Sequence, residues 1–222
     1  MTEREWMAAT HPMAMLGFLH EIASARKLRL FVCGYSRQVW DRLNYQDART
    51  AISVAERYAD KCSTDDDLNR AHAAATSLYD SIHSLALGRS WHSAIHQTDA
   101  LRLSPGCRLA AIATRRPLLI DLSEADFFGF ERPPTLCVLI RLLHDILGNP
   151  FRASTIKPTW LTTTVTAIAS GIYEDRAFDR MPILGDALQD ADCDNENILN
   201  HCRHPGEHVR GCWVIDLLTG RN

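Results

Sequence analysis

The chain has 222 residues, 46% of them hydrophobic and 23% charged, proportions of an ordinary globular protein and far from those of disordered or fibrous chains. A formal charge of −3 supplies no global field that would draw in nucleic acid or an anionic membrane. No stretch reaches the roughly 18 apolar residues of a membrane span, and the N-terminus lacks the cationic start and apolar run of an export signal. Seven cysteines, an odd number without tight spacing, fit reduced thiols, so the expected location is the cytoplasm.

Thr2 and Glu5 have capping-box spacing and predict a helix at once, with Trp6 as its apolar anchor. Pro12 suits the first turn of a second helix, followed by Met15, Leu16, Leu19 and Ile22 at helical spacing. Over residues 25–43, Leu28, Phe31, Val32, Tyr35, Val39 and Leu43 form one stripe with basic residues largely between them, the pattern of an amphipathic helix. Residues 47–61 predict another helix through Ala51, Val54, Ala55 and Tyr58. Ser63 or Thr64 then caps an alanine-rich segment ending at Leu87 and Gly88.

Helices are expected at 90–103 and 107–115, separated by Pro105-Gly106. Residues 118–130 leave a short strand open, although an isolated strand would have no partner. Pro133-Pro134 opens a strongly apolar helix through Leu136, Leu139, Ile140, Leu143 and Ile146, closed by Gly148-Asn149-Pro150. Further helices follow at about 160–174, 178–191, 195–203 and 208–219, with Gly220 as a stop. Gly185, costly inside a helix, marks a close packing contact. About ten helices without internal repeat predict an all-α fold, one compact multi-helix domain over 1–222, with 1–130 and 131–222 as the alternative subdivision into two packed subdomains.

Several segments resemble a known group. The start Thr2-Glu3-Arg4-Glu5-Trp6, the run Arg26 to Phe31, Gly148-Asn149-Pro150-Phe151-Arg152, the run Arg176 to Ala187 and the ending His208 to Leu218 together resemble an uncharacterised bacterial protein family along the whole chain. No activity attaches to that family, so the resemblance implies no catalytic residues. Where the family often has two adjacent cysteines this chain has Cys33-Gly34, and no role for such a pair carries over.

Charge is unevenly spread. Residues 26–42 hold Arg26, Lys27, Arg29, Arg37 and Arg42 against Asp41, whereas 174–196 is rich in Asp and Glu. The aromatics Phe31, Tyr35 and Trp40 fall on the apolar stripe and the arginines on the opposite face, which reads as an ordinary core helix rather than a nucleic-acid surface.

The richest chemical cluster is C-terminal: Cys193, His201, Cys202, His204, His208 and Cys212 lie within twenty residues. Imidazole and thiolate are the ligands zinc prefers, so His201, Cys202, His208 and Cys212 are the candidate metal ligands. His208 and Cys212 are spaced as a helical pair beyond the break at Pro205-Gly206, and His201 or Cys202 would approach from the preceding helix. His92 and His96 form a second such pair, too few donors for a site by themselves. His144, beside Asp145 on the apolar helix, reads as a hydrogen-bonded helix residue before it reads as a general base.

Phosphate-binding loops, a serine elbow and the CxxC and HExxH patterns are missing. No catalytic residue and no firm cofactor follow, zinc excepted as the alternative. The expected function is a non-enzymatic helical protein–protein interaction module or complex subunit, partnered by another protein or by itself. The alternatives are a zinc-binding domain on the C-terminal cluster and a cysteine-dependent enzyme using Cys212 with His208.

Overall fold

The computed structural model describes residues 1–38, 40–87, 108–115, 134–152 and 154–221. The fold is all-α: among the described residues there are eleven α-helices, three short 3-10 turns and no strand. None of these helices is long and apolar enough to cross a membrane. The helices expected at 90–103 and the open stretch 118–130, with His92 and His96, lie outside the described residues.

The chain divides into two compact units, Ala9–Ile140 and Thr2–Ala8 with Arg141–Asn222. The first contains α2 (Pro12–Ile22), α3 (Ala25–Gln38), α4 (Gln46–Ala59), α5 (Asp65–Leu87), α6 (residues 108–114) and the first half of α7 (Pro134–Leu147). α4 packs on α3 and on α5, burying Ala48, Ala51, Ile52 and Ala55 along one face. The small alanines permit close helix approach.

α3 differs from the amphipathic helix its pattern predicts: every residue from Leu28 to Ser36 is buried. Arg29 is therefore inside, not on a solvated face. Its guanidinium donates to the Ala113 carbonyl and lies 4.9 Å from the Tyr58 ring centroid. Arg37 makes a two-pronged contact with the buried Glu56, at 2.7 and 3.1 Å, and Arg26 pairs with Asp60 at 3.1 Å. A buried guanidinium must be paired or hydrogen-bonded to offset its lost hydration. The basic run is thus largely spent on contacts inside this unit.

The second unit comprises α1 (Glu3–Met7), the end of α7, α8 (Thr163–Asp175), α9 (Met181–Asp190), α10 (Glu196–Arg203) and α11 (Trp213–Thr219). Trp160, Val165, Ile172, Tyr173, Leu184, Leu188, Ile198, Val214, Ile215 and Leu218 make its core. Side-chain caps start three of its helices: the Thr2–Glu5 box, Thr162 accepting from Val165 N–H, and Asn195 accepting from Asn197 and Ile198 N–H. Gly185 does mark close packing, since a Cβ there would stand 3.1 Å from Cys202 Cβ.

Two starts differ from the periodicity. α8 begins at Thr163, because Pro158–Trp160 form a 3-10 turn ahead of the Thr162 cap. The last helix begins at Trp213 rather than 208, because Gly211 adopts φ +95° and breaks the run, leaving Cys212 as N-cap.

One turn ties the ends of this unit together. Gly148, at φ +63°, closes α7, and its carbonyl accepts a 3.1 Å hydrogen bond from Trp6 Nε1. Trp6 is fully buried, with its ring edge-to-face against His144. Asn149 Nδ2 donates to Glu3 at 2.7 Å, and Trp213 lies flat against the glycine, where a Cβ would meet its Cγ at 3.0 Å. Both the left-handed backbone and the indole wall demand glycine. Gly148→Ala is therefore expected to lower stability by more than about 1 kcal/mol, several degrees in Tm for a chain of this size. A thermal melt within about a degree of the native chain would contradict this account.

Candidate metal centre

Three pieces of the second unit deliver four polar side chains to one point. α7 presents Asp145 three residues before its Gly148 stop, α10 presents His201, and the irregular segment after Pro205-Gly206 brings back His208 and then Cys212. One ligand atom from each of Asp145, His201, His208 and Cys212 lies within 4.8 Å of all the others. His201 Nε2 stands 3.1 Å from Cys212 Sγ and 3.2 Å from Asp145 Oδ1. His208 Nδ1 is 2.6 Å from Asp145 Oδ1 and 4.0 Å from Cys212 Sγ.

The edges of a tetrahedron of nitrogen, oxygen and sulfur donors around zinc are about 3.3–3.6 Å, given bonds of about 2.0–2.3 Å. Three of the four distances fall within about half an ångström of that range. The short one is a hydrogen bond, and its proton is what a cation would replace.

The centre is enclosed. Cys212 is 0% and Asp145 4% exposed. A buried carboxylate needs several donors, and Asp145 has them: His208 Nδ1–H and, at 2.9 Å, Val209 N–H on opposite oxygens, with His201 Nε2 beside the first. Burial pushes its carboxyl up, but the hydrogen bonds from His201 and His208 outweigh that and hold it below the ordinary carboxylate value. The Cys212 thiol moves the other way. Burial first, then the Asp145 charge, raise it well above the ordinary thiol range, while the N–H groups of Ile215 and Val214 favour the thiolate. Burial likewise lowers His144 and keeps it neutral.

Ring-nitrogen roles follow from the fixed donors. The indole Nε1–H of Trp213 donates to His201 Nδ1 at 3.1 Å, so that nitrogen is the acceptor and Nε2 carries the proton. His208 Nδ1 donates to Asp145, and its buried Nε2 has no hydrogen-bond partner among the described residues.

Of the residues singled out by sequence, the fold brings together His201, His208 and Cys212. It does so through a loop, not as a pair on one helix. Cys202 does not join them: it lies wholly buried in the apolar core beside Gly185, and burial pushes its thiol up to about 12. His204 is exposed at the end of α10, and Cys193 is buried in the same core. Asp145 was missed as a ligand. Its signal was present: it follows Leu142 by three positions and precedes Ile146, which places a carboxylate on the apolar edge of a helix that buries both leucine and isoleucine.

No protein-family model, curated protein or solved structure matches this chain.

As a nucleophile Cys212 has the wrong setting, because attack needs an accessible thiolate and this thiol is buried and raised. Alkylation of the native chain, mapped by mass, should label exposed Cys62 and Cys137 first and Cys212 last; rapid labelling of Cys212 would revive that chemistry. Asp145 makes a second test. Its folded carboxyl titrates below its unfolded value, so its contribution is full above about pH 4 and is lost as the pH falls further. Asp145→Asn should cost about 3–5 kcal/mol at neutral pH, and the gap to the native chain should narrow on acidification. A gap constant from about pH 7 to 2 would contradict the assignment.

Proposed function

We propose that the second unit is a metal-holding helical domain in which Asp145, His201, His208 and Cys212 bind one divalent cation, best matched by zinc. The observation that carries this reading is the convergence of four zinc-type donors from α7, α10 and the loop before α11 within 4.8 Å, in a buried place. Charge supports it: two neutral imidazoles, one carboxylate and one thiolate sum to −2, which a divalent cation cancels, so the loaded centre is buried without net charge. Burial and the Asp145 charge hold Cys212 as a thiol without a cation, and the N–H groups of Ile215 and Val214 stand ready for the thiolate that a metal would draw out.

Four protein donors leave no open coordination position, which supports a structural role over hydrolysis. The cation would join the end of α7 to the C-terminal segment, two stretches more than fifty residues apart in sequence. In this reading the domain is a scaffold whose work is binding another protein; exposed apolar side chains such as Ile183 at 56% and Met7 at 61% suit that role. A zinc-bound thiolate would suit a cytoplasmic setting, where thiols stay reduced.

Elemental analysis of protein purified without chelator should find about one equivalent of zinc, and chelation should lower Tm by several degrees. Asp145→Ala and Cys212→Ser should each abolish stoichiometric metal, while Cys202→Ala should retain it. Metal-free native protein that takes up neither Zn²⁺ nor Co²⁺ would overturn the proposal.

A further inference from the structure

If Asp145, His201, His208 and Cys212 hold a cation as proposed, the hydrogen bond from the Trp213 indole to His201 bears directly on how it binds. Trp213 sits directly after Cys212 and its Nε1–H can only donate. While it donates to His201 Nδ1, the neutral ring must carry its proton on Nε2, the nitrogen that faces Asp145 and Cys212. A histidine that binds metal through Nε2 has the opposite arrangement, with a bare Nε2 and a proton on Nδ1. Two N–H groups would then point at each other across 3.1 Å.

We propose that Trp213 is a latch on this site: its hydrogen bond holds His201 in the form that cannot ligate, so metal binds reversibly and only by releasing the indole. The proton balance is simple. On His201 a proton leaves Nε2 and one is taken up at Nδ1, on His208 a proton leaves Nδ1 and one is taken up at Nε2, so both rings stay neutral; the Cys212 thiol alone releases a net proton to solvent, and the indole N–H is left to find another acceptor. The same change strips His208 of its favoured tautomer, moving an N–H onto the buried Nε2, which has no partner among the described residues. Both steps oppose loading and keep the affinity below that of a site whose outer hydrogen bonds support the ligands.

The indole is also placed to report its own release. Its ring packs on Gly148, which accepts from Trp6, so turning Trp213 disturbs the seat of α1. A ring that merely filled space would lose binding on truncation; a latch gains it. Trp213 is thus a positioning residue acting through His201, not a ligand.

The test uses the full chain, metal-free, titrated with Zn²⁺. Trp213→Phe removes the donor and keeps an aromatic ring against Gly148, so Zn²⁺ binding should tighten by about 3–10-fold, the worth of one net hydrogen bond. Unchanged or weaker binding by a folded Trp213→Phe chain overturns the latch. The native protein needs no variant: in a ¹H–¹⁵N spectrum the Trp213 indole N–H should lose its hydrogen-bonded shift and exchange faster with water at saturating Zn²⁺. An indole resonance that keeps its position and its slow exchange while Zn²⁺ binds stoichiometrically overturns the latch and leaves the metal reading standing. No uptake of Zn²⁺ by the native chain overturns both.

Discussion

The return of the chain from α10 to α11 turns on one buried carboxylate. Asp145 is taken out of water at the end of an apolar helix, and a bare carboxylate there would be prohibitively costly. The fold meets that cost by bringing donors to it: His208 and Val209 from the returning loop, and His201 from α10. Those donors come from segments that share no helix with Asp145. Satisfying one anion therefore fixes the path of the chain between α10 and α11, including the place where Cys212 must stand.

Once that path is fixed, Gly148 becomes the second point of constraint. It ends α7 in a left-handed turn, offers its carbonyl to Trp6, and has no side chain to hold off Trp213. Glu3 reaches the adjacent Asn149, so the first helical turn of the chain is anchored on the same corner. The two tryptophans thus approach one glycine in different ways, Trp6 by hydrogen bond and Trp213 by contact. The candidate metal centre lies next to this corner because Cys212 and Trp213 are neighbours in sequence.

The described part of the N-terminal unit shows the same physics at its buried arginines. Arg29, Arg37 and Arg26 have their charges answered by a carbonyl, a buried glutamate and an aspartate within the unit. Two of these contacts bridge α3 to α4 or the residue that follows it, so the basic run that marks the sequence works as internal fastening.

Much of the local structure was legible from residues alone. The Thr2–Glu5 box, Pro12 at a helix start, the Pro134–Leu147 core helix and the Gly220 stop depend on backbone groups within a few positions, and such short-range chemistry is written in order along the chain. The all-α class followed from periodicity for the same reason. His201, His208 and Cys212 could be named as candidates because donor chemistry belongs to residue type. What only the tertiary structure decided was the company they keep. Helical spacing suggested one face for His208 and Cys212, yet Gly211 breaks that helix and a loop unites them instead. Cys202, of the right chemistry, was drawn into the apolar core, while Asp145, more than fifty positions away, was drawn to the cluster. Burial and long-range hydrogen bonding make those choices, and neither is a property of any residue's neighbours in sequence.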